Sequence, residues 1–273
     1  MNKFWLAAAT LGSVSAAQAA DLPVLRGSFT DGLTTTRVIN WEGFYVGGQG
    51  GYGSSDADLS RMNKGVLSGL LDRTNIKEEM EVPDWSFPGG RKTSRSAGYG
   101  AFVGYNTQLE DVVFGLEMNY MHLHDSLGGT ADSSKALFKT LSDNLEHHVS
   151  VDSSGGISIS DMATFRARAA YAWGSFLPYM FGGFAVGNAD ITRSVLVQDI
   201  AIDPDTRAVI SNARLPASEG LHSHLIYGYT FGLGVDMNLT GGLFMRAEWE
   251  YVRFTDQVDT SVNTARLGLG YKF

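Results

Sequence analysis

The chain of 273 residues has no cysteine. That excludes a disulfide framework and any thiolate metal site. It has no long apolar run either. After residue 20, nothing supplies the roughly 20 consecutive apolar residues that a membrane helix requires. The most apolar stretch, 176–186, is too short and is interrupted by Pro178 and by Gly182-Gly183. Basic residues are outnumbered, 21 against 29 acidic, for a formal charge of −8. A nucleic-acid partner would need a basic footprint, so none is expected. A secreted β-protein and a β-barrel remain.

The N-terminus decides the compartment. Met1-Asn2-Lys3 is a short basic start, residues 4–14 are mostly apolar, and Ala17-Gln18-Ala19 gives the small-x-small pattern of a cleavage site. Residues 1–19 read as a signal peptide, with Ala20 the first mature residue. Loss of Lys3 takes the formal charge from −8 to −9. Residues 20–40 are polar, with Pro23 and a Thr34-Thr35-Thr36 run, and read as a periplasmic extension.

From residue 41 the dominant pattern is alternation. Eight segments have period two: 43–52, 97–107, 112–122, 162–173, 176–186, 225–236, 243–251 and 262–273. Roughly ten residues is what a tilted outer-membrane strand needs. One face of each segment is apolar: Phe114, Leu116, Met118 and Tyr120 on the third, Leu243, Met245, Ala247 and Trp249 on the seventh. On the fifth, Leu177, Tyr179 and Phe181 are taken as the outward row. The opposite faces carry Glu117, Asp236, Glu248 and Glu250 with Arg166, Arg168, Arg246, Arg266 and Lys272. A charge facing lipid costs roughly 2–4 kcal/mol at mid-bilayer, so charged faces turn inward. The connections at 108–111, 174–175 and 237–241 are tight; those at 54–96, 125–161 and 187–224 are long, while 255–261 is short. Phe273 ends the last strand, and only a closed barrel leaves no edge there. The expected fold is all-β: an eight-stranded antiparallel transmembrane β-barrel over 41–273, with long extracellular loops.

Three motifs carry a family resemblance. Trp41-Glu42-Gly43-Phe44-Tyr45-Val46-Gly47 resembles the W-x-G-F-Y-x-G opening of small outer-membrane barrel proteins of alphaproteobacteria. Phe176-Leu177-Pro178-Tyr179 before Gly182-Gly183, and the ending 266–273, are similar to that group too. The resemblance implies an OmpA-like barrel of the "porin family", although eight strands make a poor pore. The chain departs from the family in its long first and second loops. No peptidoglycan-binding domain follows residue 273, so a cell-wall tether is not expected.

An eight-stranded lumen is just wide enough for its own side chains. Charges of both signs there should pair, because an unpaired buried charge is expensive. Glu117, Arg166, Arg168, Arg246, Glu248, Glu250 and Arg266 are therefore expected to form an interior ion-pair network that plugs the barrel. The alternative, paired carboxylates as an active site, has no substrate access to support it.

The His122/His124 and His222/His224 pairs are H-x-H arrangements able to chelate a metal or haem; the competing reading is polar rim residues at the lipid–water boundary. His222-Ser223-His224 resembles the serine and histidine of lipid-A deacylase barrels, without an identifiable orienting acid. No enzyme activity and no cofactor are expected. In the second loop, Leu137, Phe138, Leu141 and Leu145 fall at helical spacing and predict a short helix over the barrel mouth. Asp199, Asp203 and Asp205 lack calcium-loop spacing. Tyr271 and Phe273 form the C-terminal signal expected to engage the barrel-assembly machinery. The other expected partners are outer-membrane lipid, lipopolysaccharide, and host or environmental ligands at the loops.

Overall fold

The computed structural model describes residues 39–87, 90–255 and 258–273. The expected signal peptide and nearly all of the expected extension lie outside these residues. Eight antiparallel strands form a closed barrel: β1 (Gly43–Asp58), β2 (Arg91–Leu109), β3 (Val112–Thr140), β4 (Glu146–Tyr171), β5 (Phe176–Ile202), β6 (Val209–Thr240), β7 (Leu243–Phe254) and β8 (Asp259–Lys272). Each strand pairs with its sequence neighbour, and β8 returns to β1 with Tyr45 opposite Lys272 and Asp58 opposite Asp259. The lower end carries the tight turns. Each holds a left-handed residue, Glu110 (φ 56°), Gly174 (φ 57°) and Gly241 (φ 56°), and in two of the three it is glycine.

Outward rows on the lower wall are apolar and exposed. Phe44, Leu116, Phe165, Phe184, Leu233 and Leu267 all project outward, and Phe184 is 76% exposed. An apolar band of this extent is a surface built for hydrocarbon. Aromatic residues border it at both ends, Trp173, Tyr271 and Phe273 below and Tyr52, Tyr99 and Tyr227 above.

The strands do not stop where the apolar band does. β5 has 27 residues and β6 has 32, against the roughly 9–11 that cross a bilayer. The excess lies in segments expected to be loops. β3 to β6 continue upward as a four-stranded sheet that keeps strand pairing to its tip, Thr140 opposite Glu146 and Ile202 opposite Val209. The helix expected around 137–145 is absent: Leu137 and Phe138 lie on β3, and Leu141 begins the turn to β4. Its spacing was equally compatible with a strand and a turn.

Helices occur instead between β1 and β2, as α1 (Lys64–Leu70) and α2 (Asn75–Glu79), followed by a 3₁₀ turn at Val82–Asp84. Leu67, Leu71, Ile76, Val82, Trp85 and Phe87 pack on Leu141, Val149, Val151, Val195 and Val197, covering the inner face of the upper sheet. Asn63 ties this cap down: its Nδ2 donates to Ser153 Oγ at 2.8 Å and to the Ser154 carbonyl at 3.1 Å.

The fifth strand corrects one assignment of faces. Leu177, Tyr179 and Phe181 point into the barrel and are buried, while Phe176, Met180 and Phe184 face out. Both faces of 176–186 are apolar, so periodicity alone could not choose between them.

Closure between the first and last strands has a direct test, because the chain has no cysteine of its own. Tyr52 and Ala265 are opposite each other across the β1–β8 seam. The Tyr52→Cys/Ala265→Cys variant is expected to crosslink under mild oxidation, keeping the unboiled electrophoretic mobility in boiled, non-reduced samples. Failure to crosslink would contradict the closed order.

Candidate functional site

The lumen is filled in layers. At the lower end Trp41, Tyr45, Phe102, Leu177, Tyr179 and Phe244 form an aromatic floor. Above the charged layer, Leu123, Leu127, Ile157, Ile159, Ile191, Ile226 and Phe254 belong to a second apolar cluster. The helical cap completes the stack.

The charged layer between the apolar ones is assembled by cross-strand register. Glu117 on β3 is opposite Arg166 on β4, Asp236 on β6 opposite Arg246 on β7, and Glu248 on β7 opposite Arg266 on β8. Arg166 donates from Nε to Glu117 Oε1 at 3.0 Å, from Nη1 to Glu248 Oε1 at 2.8 Å and from Nη2 to Glu248 Oε2 at 2.8 Å. It also reaches Glu250 Oε1 at 3.2 Å. Arg246 grips Asp236 with Nε at 2.8 Å and Nη2 at 3.0 Å, and sends Nη1 to Glu117 Oε2 at 2.8 Å. Arg168 donates to Asp236 Oδ2 at 2.7 Å. Arg266 pairs with Glu250 and donates to Asn119 Oδ1 at 2.9 Å. These eight groups are four guanidiniums and four carboxylates, and each side chain is at most 3% exposed. Charge-assisted, multidentate bonds of this kind are the arrangement that offsets desolvation at depth.

The sequence reading named seven of these residues and placed Asp236 on the inward face. It missed the aromatic side of the cluster. Tyr45 donates its hydroxyl to Glu117 Oε2 at 2.7 Å, and Tyr179 donates to Glu248 Oε2 at 2.8 Å. Guanidinium carbons lie over rings: Arg168 is 3.9 Å from the Tyr179 centroid, Arg246 is 4.0 Å from Phe102 and Arg166 is 4.1 Å from Phe181. Such stacking adds cation–π attraction to the ion pairs. Lys272 stays out of the layer and donates to the Glu42 carbonyl at 3.1 Å.

The metal candidates His122, His124, His222 and His224 fall in two separate places. The two pairs sit on β3 and β6, which β4 and β5 separate on one side of the ring. Neither pair lies on a regular strand, where H-x-H would set both rings on one face. His122 faces outward with Nδ1 2.8 Å from Asp161 Oδ1, against the Tyr99 ring. His124 is exposed two residues farther along β3, where the pairing with β4 shifts register between His122 and Leu127. His222 is exposed, its Nδ1 3.7 Å from Asp190 Oδ1. Ser223 after it has a left-handed backbone (φ 52°), and its N–H donates to the same Asp190 oxygen at 2.9 Å. His224 is half-buried opposite Ala189 of β5. Among the described residues no three His, Cys, Asp or Glu side chains are grouped to hold a metal ion. Tyr271 and Phe273 pack edge to face, centroids 5.2 Å apart, at the lower rim.

Removing one member of a buried ion-pair cluster leaves its partners uncompensated, at a cost of about 3–5 kcal/mol. Arg246→Ala leaves Asp236 with Arg168 alone and takes one guanidinium from Glu117, and is expected to destabilise the folded barrel by about 3 kcal/mol, the low end of that range, in urea unfolding from lipid vesicles. A change below about 1 kcal/mol would mean the cluster contributes little.

Residues 6–273 match the model of the outer membrane protein beta-barrel domain. The 25 kDa outer-membrane immunogenic protein of Brucella ovis is 25% identical over 236 residues, covering 86% of this chain and 79% of that protein. The 22 kDa outer membrane protein of Rhizobium leguminosarum bv. viciae is 24% identical over 246 residues, covering 86% and 79%. Among solved structures, Ail, the attachment invasion locus protein of Yersinia pestis, is similar at 14% identity and a TM-score of 0.38, over 85% of this chain and 99% of that one. With a family model matched along almost the whole chain and a hydrocarbon-facing wall around a closed barrel, this protein is a member of the outer membrane protein beta-barrel domain family and an integral protein of the outer membrane.

Proposed function

We propose that this is a non-conducting, non-enzymatic barrel with a structural role in the cell envelope, presenting its upper sheet and cap at the cell surface. The observation that carries the reading is the stacked filling of the lumen. An ion in transit would have to pass the aromatic floor, the paired charges, the apolar cluster above them and the helical cap. Breaking the charged layer open would strand several buried charges at once, which is costly. The outward apolar wall supports lipid as the constant partner, with lipopolysaccharide on the outer leaflet. The terminal Tyr271 and Phe273, exposed at the lower rim, suit recognition by the barrel-assembly machinery.

A surface-attachment role is the second reading, and one observation favours it. Phe138, Val209 and Ile210 are exposed near the tip of the upper sheet, and Phe138 is 72% exposed. The tip lies many residues beyond the apolar band, where lipid cannot cover it.

Purified mature protein in planar bilayers is expected to give no stable large unitary conductance, and a stable large channel from the monomer would overturn the plugged reading. A deletion strain is expected to become sensitive to detergents and to be rescued by a barrel whose β3–β4 and β5–β6 tips are shortened. Rescue of envelope integrity with loss of surface attachment would add the second role to the first.

A further inference from the structure

The deepest histidine of the upper sheet belongs to none of the pairs singled out above. His147 lies on the inward face of β4 and is buried. Its Nδ1 is 2.9 Å from both Asp199 oxygens on β5, and its Nε2 is 3.0 Å from Asp143 Oδ2 in the β3–β4 turn. Ionised carboxylates only accept hydrogen bonds, so both ring nitrogens must carry hydrogen for both contacts to bind. That species is the imidazolium. A neutral ring would turn a lone pair toward one carboxylate, losing that bond and leaving two acids without a counter-charge.

The turn held by this ring also seats the cap. Leu141 is buried in the cap core. The Ser142 backbone N–H and hydroxyl both donate to the Glu79 carboxylate at the end of α2, the backbone at 3.0 Å and the hydroxyl at 2.6 Å. Lys139, opposite His147 on β3, donates Nζ to the Glu79 carbonyl at 2.6 Å. We infer that His147 is a proton-operated clasp: doubly protonated, it holds the β3–β4 turn and α2 on the upper sheet, and it releases them when the ring loses a proton as the pH rises.

The other charged groups around it are already engaged. Glu146 and His148 on β4 pair at 2.6 Å, and Arg207 of the β5–β6 turn reaches Glu146 at 3.4 Å. Lys139 and Glu79 are bound as described.

Burial of the His147 ring opposes its charge, and the Asp143 and Asp199 carboxylates outweigh that, so its pKa lies above the ordinary value. A raised histidine pKa gives stabilisation that is complete below the unfolded pKa of about 6.5 and lost as pH climbs through the folded one. Asp143 is held below its ordinary 3.8, first by the His147 hydrogen bond and then by the Leu145 N–H. Its contribution is present above that ordinary value and fades as pH falls through the folded pKa. The clasp is therefore closed below the ordinary histidine pKa and opens as the pH rises through the raised one.

The test is hydrogen exchange of the mature protein in detergent micelles, corrected for the intrinsic chemical rate, between about pH 5.5 and about pH 8.5. Peptides covering 75–87 and 139–147 are compared with a β7 peptide as internal reference. Their protection is expected to fall several-fold on the alkaline side in wild type, up to about tenfold per unit of raised pKa. In His147→Gln it should be flat across the window, while His148→Gln should retain the wild-type response. A flat wild-type profile, or an unchanged response in His147→Gln, would overturn the clasp. Imidazole ¹⁵N titration of His147 in the wild type gives an independent check. A midpoint at or below that of a free histidine would refute the proposal even if His147→Gln fails to fold.

Discussion

Hydrocarbon outside the barrel is the constraint from which the rest follows. It offers no hydrogen bonds, so backbone groups on the wall must be satisfied within the sheet, and pairing β8 to β1 leaves no free edge. It repels charge, so the carboxylates and guanidiniums in the middle of the spanning strands are driven into a lumen with little room for water. Once inside, the charges find each other, a few hydroxyls, the Asn119 amide and aromatic ring faces. The network of Glu117, Asp236, Glu248 and Glu250 with four arginines is the consequence.

The same constraint ends abruptly at the membrane surface, and the strands record the change. On β5 the outward residues Phe176, Met180 and Phe184 are apolar, whereas Asp190, Thr192 and Ser194 farther along the same face are polar. The inward face is apolar beyond the crossing at Ala189, Ile191, Val195 and Val197, with Arg193 buried among them. Below the boundary the wall is greasy outside; above it the sheet is greasy only inside, as in a water-soluble β-protein. An inner apolar face in water needs a cover, and the helices between β1 and β2 supply it. Leu67 and Leu71, one helical turn apart, are the residues that bury against the valines of β4 and β5.

Function follows from this division of labour. The lower half is a filled cylinder fixed by mutual charge compensation and aromatic stacking. The upper half is a capped sheet whose contacts depend on exposed carboxylates, hydroxyls and one buried imidazole. Buried guanidinium pairs in the lower half do not change charge over accessible pH, because arginine stays protonated. The histidine-dependent contacts near the tip can, which places any response to the surroundings at the end farthest from the membrane.

Period-two alternation and charges confined to one face of each strand were sufficient to read the barrel and to name seven of its eight paired interior charges from the sequence. Each is a local signal, set by lipid on one face and by length across the bilayer. The upper sheet was illegible for a physical reason: its alternation has the opposite polarity, and a reader expecting apolar-out sees only loop. Tyr179 was misplaced because both faces of its segment are apolar, and only pairing with β4 and β6 fixes which one turns in. The partners of His147 were beyond reach as well, since Asp143 and Asp199 meet it only after β3, β4 and β5 are aligned. Sequence alone thus determined the kind of solvent each strand face must meet, because that preference resides in individual side chains. Only the tertiary structure decided which groups meet across the lumen and the cap, because register and closure are properties of the whole sheet.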